Sequence, residues 1–119
     1  MILLIEDNEA NLKLLKTMVR MIGCESVGFT TGEEACDWCA TNKPGLILCD
    51  IMLPGMNGSE VLQQLRTIEH LQDVPIVAVT AVAMEGDKER LLEEGFDEYI
   101  AKPLNFSSFQ STVKSLLRS

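Results

Sequence analysis

Three short apolar runs, each ended by a polar residue, constrain this chain more than anything else in it: residues 2–5 before Glu6, 46–49 before Asp50, and 76–79 before Thr80. Successive side chains of a strand point to opposite faces, so a strand apolar at every position must be covered on both. That is the condition of a central strand in a parallel sheet. Between the runs the apolar period changes to that of a helix. Leu12, Leu15, Val19 and Ile22 follow a capping Asn8 and stop at Gly23. Thr31 and Glu34 have capping-box spacing for a helix through Ala40, and Val61, Leu65 and Ile68 mark a third helix. Leu91 and Leu92 belong to a fourth, closed near Gly95, and Phe106, Phe109, Val113 and Leu116 stripe a fifth. Residues 27–29 and 99–101 read as two further strands. Strands alternating with helices across short loops give a doubly wound α/β sandwich, because each parallel crossover returns right-handed. The length of 119 residues suits one domain, 1–119.

In such sheets ligands sit at the carboxyl ends of the strands. This sequence puts Glu6 and Asp7 after strand one, Asp50 after strand three, Thr80 after strand four and Lys102 after strand five. Carboxylates gathered at one rim repel one another and hold protons unless a cation joins them, and hard divalent ions prefer their oxygens. Mg2+ is the expected ion. With few protein ligands it keeps waters and an open position suited to a phosphate oxygen, and Lys102 adds a compact positive charge for the same phosphate.

Glu6-Asp7, Asp50 closing an apolar strand, Thr80-Ala81 and Lys102-Pro103 stand in the order and spacing of the response-regulator receiver domain, which the whole chain resembles. The stretch from Asp50 to Gly58 resembles that family's loop after its phosphorylated aspartate. The resemblance implies a flavodoxin-like (βα)5 fold with strand order 2-1-3-4-5. It implies that Asp50 takes a phosphoryl group from a phosphohistidine on a sensor histidine kinase or histidine phosphotransfer protein. Asp7, Asp50 and the backbone carbonyl of Met52 would then ligate Mg2+, with Glu6 holding a metal-bound water. Lys102 would pair with the phosphoryl group, Thr80 would donate its hydroxyl to it, and Tyr99 would turn inward as Thr80 moves. A cis Lys102–Pro103 bond and an output surface on helix four, strand five and helix five complete the pattern. Met52 and Val82 occupy positions that tune acyl-phosphate hydrolysis in the family; both are apolar here, which implies a long-lived phosphorylated state.

Rival functions fit less well. An aspartate-nucleophile phosphatase would want a second Asp where Met52 stands, to protonate a leaving group, so the chain is expected not to be an enzyme. A flavin or dinucleotide module needs a glycine- or hydroxyl-rich turn after strand one, where Glu6-Asp7-Asn8-Glu9 would repel phosphates. A receiver-like binding module acting without phosphorylation is the remaining alternative. The formal charge of −8 argues against direct nucleic-acid binding, and the absence of any apolar run near membrane-spanning length leads us to expect a cytoplasmic protein.

Other motifs read as structural. Cys36-Asp37-Trp38-Cys39 has the spacing of a redox or zinc pair but falls inside a helix, so packing is the expectation for it, as for Cys24 and Cys49. His70 reads as a solvated helix cap, the methionines as core or loop filler, and Glu85, Asp87, Glu89, Glu93 and Glu94 as a solvated face.

Overall fold

The computed structural model describes residues 1–81 and 86–117. Among these, five strands alternate with five helices: β1 Ile2–Ile5, α1 Glu9–Met21, β2 Ser26–Phe29, α2 Gly32–Cys39, β3 Leu46–Asp50, α3 Gly58–Leu65, β4 Ile76–Thr80, α4 Asp87–Glu94, β5 Glu98–Ala101 and α5 Phe106–Leu117. Every strand pairing is parallel and the order is β2-β1-β3-β4-β5, the doubly wound flavodoxin-like arrangement expected from the sequence. The chain leaves β1 toward one edge and β3 toward the other. A crevice therefore opens between their carboxyl ends.

Strand alternation divides the core into two layers. Leu3, Ile5, Ile47, Cys49, Ile76 and Ala78 face α2, α3 and α4, packing on Ala35, Cys36, Cys39, Val61, Leu65 and Leu91. Ile2, Leu4, Leu46, Leu48, Val77 and Val79 face α1 and α5, packing on Leu12, Leu15, Val19, Phe109 and Val113. All the residues of β1, β3 and β4 are buried. Each large aliphatic side chain so buried contributes about 1.5–3 kcal/mol relative to exposure, which makes these three strands the rigid base of everything at their ends.

Local chemistry fixes where the helices begin. The Asn8 side chain accepts from Asn11 N, and Thr31 Oγ1 accepts from Glu34 N while donating to Glu34 Oε1. A reciprocal capping box joins Asn57 and Glu60 at the start of α3. Only glycine lets that helix start where it does: a Cβ on Gly58 would lie 2.7 Å from both Asp50 O and Ile51 Cα.

Two expectations are corrected. Helix α3 stops at Leu65, and Ile68 precedes a 3-10 turn at Glu69–Leu71. Side chains cause the break: Thr67 Oγ1 donates to Gln64 O and Gln72 Nε2 to Arg66 O, taking carbonyls that a continuing helix would use. Ile68 still packs against the core from outside the helix. Asp87, placed on a solvated face, is instead 8% exposed and pairs with Arg90 Nη2 at 3.3 Å, since as the first residue of α4 it lies against the protein rather than outside it. Glu85, assigned to the same face, lies outside the described residues.

Candidate functional site

Sheet register decides which side chains meet. Ile5 and Cys49 are partners across β1 and β3, so Glu6 follows one and Asp50 the other at the same level. Asp50 pairs with Val79, Val79 with Ile100, and Lys102 stands two residues beyond Ile100. A backbone bond from Lys102 N to Thr80 O at 2.8 Å carries the ladder that far. Glu6, Asp50 and Lys102 therefore share the α1/α5 side of the sheet edge, as the two-residue period requires. The Lys102–Pro103 peptide bond is cis.

The Lys102 ammonium closes the group, donating to Glu6 Oε1 at 2.7 Å and to Asp50 Oδ2 at 2.8 Å. The second oxygen of each acid is held by backbone: Asp50 Oδ1 accepts from Met52 N at 2.9 Å, and Glu6 Oε2 from Asn8 N at 3.2 Å. Glu6 is 1% exposed and Asp50 5%, whereas Asp7 is exposed.

Unequal hydrogen bonding separates the two buried carboxyls. Burial pushes the Glu6 carboxyl up, to about 7, with Lys102 opposing the rise and neighbouring Asp50 adding to it. Burial also acts upward on Asp50, but hydrogen bonds from Lys102, Glu6 and Met52 N outweigh it, and its carboxyl lies below the ordinary aspartate value. For Lys102, burial acts downward and is overcome by the two acids, which hold the ammonium protonated. The arrangement leaves Asp50 ionised and makes Glu6 the carboxyl that most readily takes a proton.

Glu6, Asp7 and Asp50 each offer an oxygen within 4.8 Å of the others, the one such group of His, Cys, Asp or Glu among the described residues. An octahedral Mg2+ with oxygens at about 2.1 Å places neighbouring ligands roughly 3 Å apart and opposite ones roughly 4.2 Å apart. The three oxygens lie close to the span of one such ion's ligands. The donor chemistry fits too, since one ammonium facing three carboxylates leaves the edge short of positive charge. Beside it opens a cleft of about 540 Å3 lined by Asp7, Ile51, Met52, Leu53, Pro54, Asn57 and Ser59.

Thr80 and Tyr99 alternate onto the other side of the sheet. Thr80 is buried at the end of β4, in register with Ala101, and Tyr99 is half-buried against the α2–α4 layer. Met52 places its backbone N–H on Asp50 while the residue stays 66% exposed in the cleft. Val82 lies outside the described residues.

The remaining motifs resolve structurally. Cys36 and Cys39 are buried in α2, where burial pushes both thiols up to about 11 and keeps them protonated. Cys49 turns into the α2–α3 layer, away from the Asp50 carboxylate, and burial raises its thiol further. His70 is more than a solvated cap: from the 3-10 turn its Nε2 reaches Cys39 O at 2.8 Å and Asn42 O at 3.2 Å, tying that turn to the end of α2. The methionines divide, with Met18 in the core, Met56 partly buried against it, and Met1, Met21 and Met52 exposed, while Met84 lies outside the described residues.

Sequence reasoning missed three contributors to the site: the Asn8 N–H, Asn57 and Ser59. The Asn57-Gly58-Ser59-Glu60 spacing is itself a legible capping signature that would have placed the helix start, and so these side chains, at the rim.

Comparison with known proteins agrees with this geometry. The family model for the response regulator receiver domain matches residues 2–114. The polar-differentiation response regulator DivK of Brucella ovis is 41% identical over 116 residues, covering 98% of this chain and 94% of its own. The receiver domain of a sensor histidine kinase from Pseudomonas aeruginosa PAO1, solved with magnesium coordinated in its active-site cleft, superposes with a TM-score of 0.91 at 32% identity, covering 99% of this chain and 97% of that one. The BeF3-activated receiver domain of Klebsiella pneumoniae RstA gives 0.89 at 28% identity, with 99% and 98% covered. A receiver fold with a three-carboxylate edge, matched by the family model over nearly all its length, establishes that the chain belongs to the response regulator receiver domain family.

Proposed function

We propose that Asp50 accepts a phosphoryl group from a phosphohistidine on a sensor histidine kinase or histidine phosphotransfer protein, in a Mg2+-dependent reaction. The observation that carries this reading is the Lys102 bridge to Asp50 and Glu6 beside the exposed Asp7: an ionised acceptor, a cation within reach of it, and an acidic cluster short of positive charge. Asp7, Asp50 and the Met52 carbonyl would hold the ion, with Glu6 contacting it through water. When bound, Mg2+ supplies the charge neutralisation that phosphoryl transfer chiefly needs.

The chain's own residues do the rest. An Asp50 carboxylate oxygen forms the new O–P bond as the donor's P–N bond breaks, and the Met52 N–H holds the carboxylate in place. Lys102 shifts its hydrogen bond from Asp50 to a phosphoryl oxygen. The Thr80 hydroxyl is drawn toward the new dianion, Tyr99 follows, and the α4–β5–α5 surface changes population as far as its two states differ in affinity for the modified site. The protein is consumed as acceptor rather than turning over as an enzyme, and the Met52 position lacks the acid a phosphatase would use. Among the described residues no helix is long and apolar enough to cross a membrane, which fits the proposed cytoplasmic setting. The net charge of −8 favours a protein partner over nucleic acid.

Intact-mass spectrometry after incubation with acetyl phosphate, with and without Mg2+, tests the proposal beside Asp50→Asn. One Mg2+-dependent phosphoryl adduct absent from the variant is expected. No adduct on the folded, Mg2+-binding protein would transfer the function to phosphorylation-independent partner binding. Because Met52 presents no strong acceptor to an attacking water, the adduct should persist far longer than seconds; phosphate release within seconds would contradict this.

A further inference from the structure

We propose that Met52 is an oxidation-sensitive modification site through which peroxide shortens the life of the phosphorylated state; this rests on the phosphoacceptor reading of Asp50. Two independent observations meet at this residue. Met52 is 66% exposed, more than any other large apolar residue among the described residues, and it lines the 540 Å3 cleft that Asp7 also borders. Its backbone N–H is bonded to Asp50 Oδ1 at 2.9 Å, so the root of the side chain is fixed relative to the phosphoacceptor. Met18 is buried in the core, Met56 is partly buried against it, and Met1 and Met21 are exposed but stand before β1 and at the end of α1, so among the described methionines Met52 alone has both properties.

The chemistry balances. The Met52 sulfur takes one oxygen atom from a hydroperoxide in a two-electron oxidation, and the peroxide is reduced to water or the corresponding alcohol. The product is a sulfoxide, polar and chiral where the thioether was apolar. A thioether accepts hydrogen bonds only weakly, whereas the sulfoxide oxygen accepts them well. Placed in the cleft next to the acyl phosphate, that oxygen orients a water whose lone pair faces phosphorus. Oxidation thereby adds the positioning group that an apolar side chain at this place withholds. Methionine sulfoxide reductase restores the thioether, so the change is reversible.

The test treats the full chain with hydrogen peroxide, maps sulfoxides by peptide mass spectrometry, then phosphorylates with acetyl phosphate and follows loss of the adduct. Each protein is compared with its own untreated sample. Oxidation of Met52 should shorten the lifetime roughly three- to tenfold, the worth of one hydrogen bond to the attacking water. Peroxide should leave the lifetime of Met52→Leu unchanged, whereas Met21→Leu should keep the full sensitivity, and reductase treatment should restore the wild-type lifetime. An equal lifetime with Met52 fully oxidised overturns the inference, as does a peroxide effect that survives Met52→Leu. Failure to phosphorylate the untreated protein would instead overturn the phosphoacceptor reading.

Discussion

The two ends of the sheet each carry a cation bound to carboxylates, and they are built to opposite specifications. At the amino end of β4, Arg66 and Asp97 form a balanced pair. Arg66 Nη2 donates to Asp97 Oδ2 at 2.8 Å and Nη1 to Val74 O at 2.9 Å, while the same Asp97 oxygen accepts from Ile76 N at 2.8 Å. One charge meets one charge, and backbone groups take the remaining bonds. At the carboxyl end, Lys102 is shared between Glu6 and Asp50 with Asp7 nearby, so the acids outnumber the base. A balanced pair is a clamp. An unbalanced one is a site, because its surplus charge is relieved by taking up a proton or a ligand.

The largest effect should come from breaking the unbalanced end. Lys102→Ala leaves two nearly inaccessible carboxyls without their cation, and removing one partner of a buried pair costs about 3–5 kcal/mol. Urea denaturation of the metal-free variant should register that loss, and millimolar Mg2+ should recover part of it, since an ion that binds only the folded chain stabilises it. Loss of the same size with no Mg2+ response would deny that Lys102 and the metal satisfy the same charge.

Breaking the clamp should cost less and respond differently. Asp97→Ala removes the acceptor of one charged and one backbone donor, for about 2 kcal/mol. The midpoint should fall by the same amount with and without Mg2+. An Mg2+-dependent deficit would join two ends of the sheet that the comparison treats as separate.

Acidity sharpens the comparison further. Because burial raises the Glu6 carboxyl from 4.5 to about 7, the folded metal-free protein holds a proton that the unfolded chain releases in that window. Its stability contribution is present below pH 4.5 and declines as pH rises through 7. Glu6→Gln removes the titration, so the metal-free variant should gain about 1–2 kcal/mol above pH 7 and show a flatter pH profile. Asp50 runs the other way: its lowered carboxyl contributes stability that disappears only as pH falls below the ordinary aspartate range. A variant as pH-sensitive as the wild type between 4.5 and 7 would remove Glu6 as the source of the slope.

The smallest effect concerns the rim. Ser59 Oγ, which lines the cleft, donates to Glu94 Oε2 at 3.1 Å, joining α3 to the end of α4. This contact is exposed, and Ser59→Ala should lower stability by no more than about 0.5 kcal/mol in thermal unfolding.

What the sequence determined by itself is whatever chain-local periodicity encodes. Continuous apolar character of residues 2–5, 46–49 and 76–79 requires covered central strands, and Asn8 and Thr31 carry capping chemistry three residues from their partners. The order of Glu6, Asp7, Asp50, Thr80 and Lys102 at strand ends is equally local, and it sufficed to reveal the family. Tertiary structure decided what depends on residues far apart in the chain. Lys102 finds Glu6 across 96 positions only because β5, β4, β3 and β1 lie in register. The burial that raises Glu6, the inward turn of Asp87, the tie from His70 to α2 and the Arg66–Asp97 clamp come from neighbours supplied by other elements. Hydrophobic period and capping act over one or two turns of chain; dielectric environment and charge pairing are properties of a place, and that place exists only once the sheet has formed.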